Sequence, residues 1–178
     1  FEYQLERIKS TVTYEKYKIS RNEDLEKYIG ELTECDDSLV NRSSISFILE
    51  YDNRKYLFLG DSIIDKIMLD RIENEVGFQY RFTAIKLPHH GSRYNITHDF
   101  ISRYTAEEYY CLTNSTKYGH PDMEVLAAVL CKDIHLKKLV FNYPIDKAYF
   151  INKTEWKEKY KYEVIIGDGE TVMERVFK

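Results

Sequence analysis

The chain has little that would anchor, staple or interrupt it. Among its 178 residues are three cysteines, three prolines and seven glycines. Cys35, Cys111 and Cys131 stand far apart with no CxxC pair. An odd, scattered set does not make a disulfide framework or a cysteine-rich zinc site, so they read as reduced thiols and the chain reads as cytoplasmic. No apolar run approaches the roughly 18 residues of a membrane span, and no signal-peptide pattern opens the chain. A net charge of −4 excludes a global footprint for nucleic acid, leaving a local basic patch or a metal to hold any phosphate. GxSxG, Walker, HExxH and GxGxxG motifs are all missing, which removes the local signals of α/β-hydrolases, P-loop proteins, zincins and Rossmann domains. There is no internal repeat, low-complexity tract or Pro/Gly linker to divide the chain.

What is present is an ordinary globular composition, with 43% hydrophobic and 31% charged residues, in a length that fits one domain. Residues 1–19 mix helical and strand-like patterns. "SRNE" then forms a capping box with Ser20 and Glu23, and Leu25, Tyr28, Ile29 and Leu32 share one face, which predicts a helix over about 22–33. "SSISFILEYDNRKYLFLGD" predicts a hairpin around "DNRK", and its apolar runs suggest central strands covered on both sides. "SIIDKIMLDRIENEV" places Ile64, Ile67, Met68, Arg71 and Ile72 at helical spacing. Beyond it "FTAIKLP", "EEYYCLT" and "KLVFNY" read as strands. "THDFISRY", "HPDMEVLAAVLCK" with Pro121 at its first position, and "NKTEWKEKYK" read as helices. "YEVII" and "ETVMERVF" suggest a terminal strand pair around "GDG". The alternation predicts an α/β domain with a mixed sheet and flanking helices.

Three predicted strand ends carry unusual punctuation: Gly60 and Asp61, then His89 and His90 in "PHHGS", then His120 in "NSTKYGHP". Ligands of open α/β sheets bind beyond the carboxyl ends of strands, and a carboxylate gathered there with imidazoles suits a Zn²⁺-type ion. Each residue also has a plainer reading. Asp61 fits a turn or a helix cap, the paired histidines fit a packed and hydrogen-bonded pair, and His120 fits a cap on the next helix. His98 and His135 lie in amphipathic helical context and read as surface or core residues. The sixteen tyrosines could stack on bases, but most sit at helix or strand positions that favour packing.

The succession "NRSSISFILEYDNRKYLFLGD", "IKLPHHGS" and "NSTKYGHP" resembles the C-terminal half of metallo-β-lactamase-fold hydrolases. The similar branch contains the ComEC-like competence hydrolase domain and related bacterial defence-associated effectors. The resemblance covers roughly Asp37 to Leu130. It implies an αββα sandwich, of which residues 35–178 would be the C-terminal half and residues 1–34 a linker or helical segment packed on it. It also implies two Zn²⁺ ions in the complete fold, with Mn²⁺ as an alternative, and a two-metal-activated water that attacks a phosphodiester, with nucleic acid as substrate.

Carried over by position, Asp61 and His90 are the implied metal ligands, and His89 is their neighbour or the true ligand in place of His90. His89, Ser92 and His120 are the implied catalytic residues, His120 as a phosphate contact or proton donor. Gly91 and Ser92 let the backbone approach, and Asn41 and Ser44 are expected to be structural. Lys86, Arg93 and Lys117 are candidate phosphate helpers. The main motif of the family, HxHxDH, is missing from these residues. The chain alone is therefore expected to be inactive, a piece beginning at Phe1 whose partner is the missing N-terminal half in the same or a separate chain. A protein partner or a second copy is a further expected partner, and a membrane is not. The alternative is a non-catalytic interaction module on the same fold.

Overall fold

The computed structural model describes residues 24–34 and 36–177. Six strands form one sheet in the order β1-β2-β3-β4-β5-β6. They are β1 Phe47–Tyr51, β2 Arg54–Phe58, β3 Tyr80–Lys86, β4 Tyr104–Cys111, β5 Lys137–Phe141 and β6 Tyr162–Ile166. β1 and β2 pair antiparallel, and every later neighbour is parallel. The helices are α1 Leu39–Arg42, α2 Lys66–Val76, α3 His98–Arg103, α4 Met123–Lys132, α5 Asp146–Phe150 and α6 Thr154–Tyr160. The chain is thus α/β with a mixed sheet and flanking helices, and no described helix is long and apolar enough to cross a membrane.

Local chemistry explains the boundaries. Asp52 and Asn53 both take positive φ, 52° and 58°, as a two-residue hairpin turn between right-twisted strands requires. Asp65 caps α2 by accepting the Met68 N–H at 2.9 Å, and Thr97 caps α3 by accepting that of Phe100 at 3.2 Å. Leu57, Ile85, Tyr109, Leu139 and Val164 form one row across the sheet and join the core. On the opposite face the buried Glu108 accepts from Arg175 of the C-terminal segment at 2.5 and 3.2 Å, and Phe177 lies edge-on to Tyr56. α4 is buried almost throughout, from Met123 to Leu130, as its apolar composition demands.

Several expectations change. Among the described residues the helix expected over 22–33 is replaced by one 3₁₀ turn, Leu25–Tyr28, after which the chain leaves helical geometry at Ile29 while Leu25 and Leu32 are buried and Tyr28 and Ile29 pack against the core. The proposed cap at Ser20, and the patterns of residues 1–19, lie outside the described residues, as does Cys35. β1 is an edge strand rather than a covered one, and Phe47, Leu49 and Tyr51 are exposed. In α2 the buried side chains are Leu69 and Ile72, while Ile67 and Arg71 face outward. Pro121 precedes the cap of α4 at Asp122 instead of opening the helix. His135 lies in the connection between α4 and β5, not on a helix. Residues 170–177 form no strand, so β6 pairs with β5 alone. Cys111 and Cys131 are free thiols, and burial pushes them up to about 12 and about 11.

Candidate functional site

Parallel β2, β3 and β4 end at one edge of the sheet, so the three loops that follow them converge. After β2 the chain turns through Gly60 at φ 53°, where an added Cβ would lie 2.4 Å from the Ser44 hydroxyl. That approach lets Ser44 Oγ accept the Asp61 N–H at 2.9 Å. Ser46 Oγ donates to the Leu59 carbonyl at 3.0 Å. The polar start of the hairpin thereby holds the Asp61 loop. After β3 a turn at Pro88–Gly91 carries His89 and His90 in left-handed backbone, φ 41° and 58°. Such residues cost about 1 kcal/mol or more each, and persist where surrounding contacts hold them. The His89 N–H donates to the Gly60 carbonyl at 3.0 Å, joining the second loop to the first.

His90 has its two nitrogens in different surroundings. Nδ1 lies 2.6 Å from the Leu112 carbonyl, which accepts its proton, and Nε2 lies 3.8 Å from Asp61 Oδ1. The tautomer with hydrogen on Nδ1 leaves a lone pair on Nε2. Lys86 donates to the Gly60 carbonyl at 2.5 Å and stands 3.5 Å from Asp61 Oδ1. Burial pulls the Lys86 ammonium down against the opposing charge of Asp61.

His89 enters a different group. Its Nδ1 lies 3.3 Å from Asp36 Oδ2 and 3.2 Å from Asn41 Nδ2. Asp36 also accepts from Asn41 at 2.6 Å, from Asn95 at 2.8 Å and from the Ser38 N–H at 2.9 Å. Burial raises the Asp36 carboxyl, but these hydrogen bonds outweigh it and hold the group down to about 2. Nothing in the sequence announced Asp36 as a site residue, because its partners His89 and Asn95 are 53 and 59 positions away. The only local sign is the Asx turn in "DDS".

His120 approaches from the third loop, joined to Pro121 by a cis peptide bond. Its ring centroid is 5.5 Å from that of His89, and its Nδ1 is 3.4 Å from Asp122 Oδ1. The distance suits an ionic contact but not hydrogen-bond geometry, so the buried Nδ1 has no hydrogen-bond partner. Burial raises the Asp122 carboxyl, and His120 and the Arg93 N–H bring it below the ordinary value. Gly91, at φ 85°, passes so close to Pro121 that a Cβ would meet the proline Cβ at 2.7 Å. The Asp122 N–H donates to the Gly91 carbonyl at 2.9 Å, and Asp122 Oδ2 accepts the Arg93 N–H at 2.9 Å. These bonds lace the second loop to the third.

His89, His120, Ser92, Asp36 and Asp122 line a cleft of about 1060 Å³, with Tyr118 and Lys147 at its wall. Ser92 is buried, and its hydroxyl accepts the Tyr94 N–H at 3.2 Å. Arg93 also lines the cleft but is paired with Glu124 at 2.8 Å, and Lys117 lies over the Tyr118 ring. His98 is elsewhere, on the Gly30 carbonyl at 2.9 Å, and His135 is on Asp133.

Two donors on one ion at about 2.0–2.1 Å stand no more than about 4.2 Å apart, so Asp61 and His90 have the spacing and donor types of a shared zinc-type ion. Fixing the other His90 nitrogen on a carbonyl is the usual support for such a ligand. Among the described residues, no group of three or more His, Cys, Asp or Glu side chains is arranged to hold a metal. No family model, curated protein or solved structure matches the chain.

Proposed function

We propose that this chain is the C-terminal half of a metallo-β-lactamase-type αββα hydrolase that cleaves phosphodiester bonds in nucleic acid in the cytoplasm. The observation that carries the reading is the Asp61–His90 pair, with Nε2 3.8 Å from Oδ1 and Nδ1 fixed on the Leu112 carbonyl. A divalent zinc-class or manganese ion held there would supply Lewis acidity at a phosphoryl oxygen. The chain's own residues orient and position. Leu112 sets the His90 tautomer, Ser44 holds the Asp61 backbone, and Lys86 places a cation beside the pair. Catalytic roles for His89, Ser92 and His120 rest on the resemblance and on their common place at the cleft. Two ligands fall short of the three protein ligands usual at a catalytic zinc, so the chain alone is expected to be inactive without HxHxDH ligands from elsewhere.

The test uses this chain together with a protein part that supplies HxHxDH. Asp61→Ala and His90→Ala are each expected to abolish metal-dependent hydrolysis of a phosphodiester while leaving the circular dichroism spectrum unchanged. Wild-type rates in both variants would remove the site assignment. A second reading, a non-catalytic interaction module, is favoured by the apolar edge of the sheet, where Ile45, Phe47, Leu49 and Tyr51 are exposed. It is supported instead if neither wild type nor variants hydrolyse the phosphodiester.

A further inference from the structure

We propose that Lys147 is a positioning residue for His120, acting through the backbone on both sides of that histidine. Its ammonium donates to the Gly119 carbonyl at 2.6 Å and to the Pro121 carbonyl at 2.7 Å, so one side chain bridges the residues before and after His120. Lys147 is the second residue of α5, and the buried Ile145, Ala148 and Ile151 hold that segment against the core. The cation therefore reaches the third loop from an element outside it. Hydrogen bonds from an ammonium are stronger than those between neutral groups, which offsets the rotamer freedom a long side chain loses when it is held.

Gly119 shows what this grip works on. It takes φ 72° with no atom within 4 Å of an added Cβ, so the glycine serves a left-handed turn and not a close approach. That turn sets the direction of the chain into His120. On the other flank, Asp122 is bonded to Gly91 and Arg93 of the second loop. His120 thus stands between two anchorages, and Lys147 supplies the one that does not pass through the second loop. The charge of Lys147 acts as well. Burial raises the Asp122 carboxyl, and His120, the Arg93 N–H and Lys147 together bring it below its ordinary value. An ionised Asp122, 3.4 Å from His120 Nδ1, orients that edge of the ring. The catalytic consequence rests on the hydrolase reading, in which His120 contacts phosphate or donates a proton; the placement of the ring does not.

The first readout is the imidazole ¹H–¹⁵N spectrum of the 178-residue chain, with His120→Gln to identify the His120 signals. In Lys147→Met those signals are expected to move while the signals of His90 and His98 stay. Lys147→Gln, which keeps an amide donor, takes the same measurement if Lys147→Met does not fold. The second readout is phosphodiester hydrolysis by the chain together with a part that supplies HxHxDH. There Lys147→Met is expected to lower kcat between about tenfold and a hundredfold, and Lys147→Arg, which keeps the charge and the N–H donors, to recover part of the loss. In a His120→Gln background Lys147→Met is expected to cost nothing further, because its effect passes through that ring. Moved His120 signals with no hydrolysis by the wild type would support the positioning and remove the hydrolase reading alone. Unmoved His120 signals in a folded Lys147 variant, or an equal loss of kcat in the His120→Gln background, would overturn the inference.

Discussion

The two ends of the sheet both hold a well-bonded carboxylate, Asp133 at one and Asp36 at the other, but among the described residues only one of them also leaves buried polar atoms unmatched. At the start of β3 and β5, the fully buried Asp133 accepts from Arg81 Nη1 at 3.1 and 3.2 Å and from Tyr109 at 3.1 Å. It also accepts from the His135 N–H at 3.0 Å. Lys137 sends its ammonium to the carbonyls of Asp133, His135 and Tyr160. Burial lowers Lys137 to about 8 while the Asp133 charge opposes. At the carboxyl end, by contrast, His120 Nδ1 and Asn95 Oδ1 are buried without hydrogen-bond partners, and two adjacent histidines sit in left-handed backbone. Saturated networks hold a structure together, whereas strained and incompletely satisfied groups collect where a protein binds or reacts. The contrast supports the carboxyl end as the candidate functional end without reference to any motif.

The comparison breaks most readily at Asp133. Asp133→Ala strands Arg81 and the Tyr109 hydroxyl and is expected to cost about 3 kcal/mol in urea unfolding, near the lower figure for removing one partner of a buried pair because Arg81 is partly exposed. A loss below about 1 kcal/mol would mean that this end is not the scaffold.

Asp36 sharpens the other side. Its folded carboxyl titrates at about 2, below the unfolded value, so its stabilisation is complete above the unfolded pKa and is lost as pH falls through the folded one. Between about pH 4 and pH 2 the wild type should lose roughly 1–2 kcal/mol more than Asp36→Asn. Parallel acid limbs in the two proteins would remove Asp36 as the organiser of His89. The smallest effect is expected at Ser44, where Ser44→Ala removes one hydrogen bond to the Asp61 backbone and about 1 kcal/mol.

The candidate site was more legible in the sequence than its supports. Gly60–Asp61, His89–His90 and His120 are visible because strand endings are local patterns, and parallel pairing brings those endings to one edge. The turn at Asp52–Asn53 was readable for the same reason. Asp36, Asn95 and Asp122 were not, since what gives them meaning is a partner far away in sequence. The exposure of β1 was hidden too, because an apolar strand reads alike whether it is central or at an edge, and only the strand order decides. At 25–32 the apolar residues Leu25, Tyr28, Ile29 and Leu32 do turn to the core as their spacing suggested, but from one 3₁₀ turn and irregular chain instead of a helix.

The passage of Gly91 beneath Pro121, closed by the Asp122–Gly91 and Arg93–Asp122 bonds, has a mechanical meaning. Two loops joined at three points cannot swing separately. They are expected to move as one body, so the amides of Arg93 and Asp122 should exchange with solvent together, in a single opening event. Whatever enters the cleft must meet His89 and His120 at a nearly constant spacing. Adaptation to different ligands then falls to the outer wall, at the exposed Tyr118, since Tyr94 is tied to the interlock through Arg93.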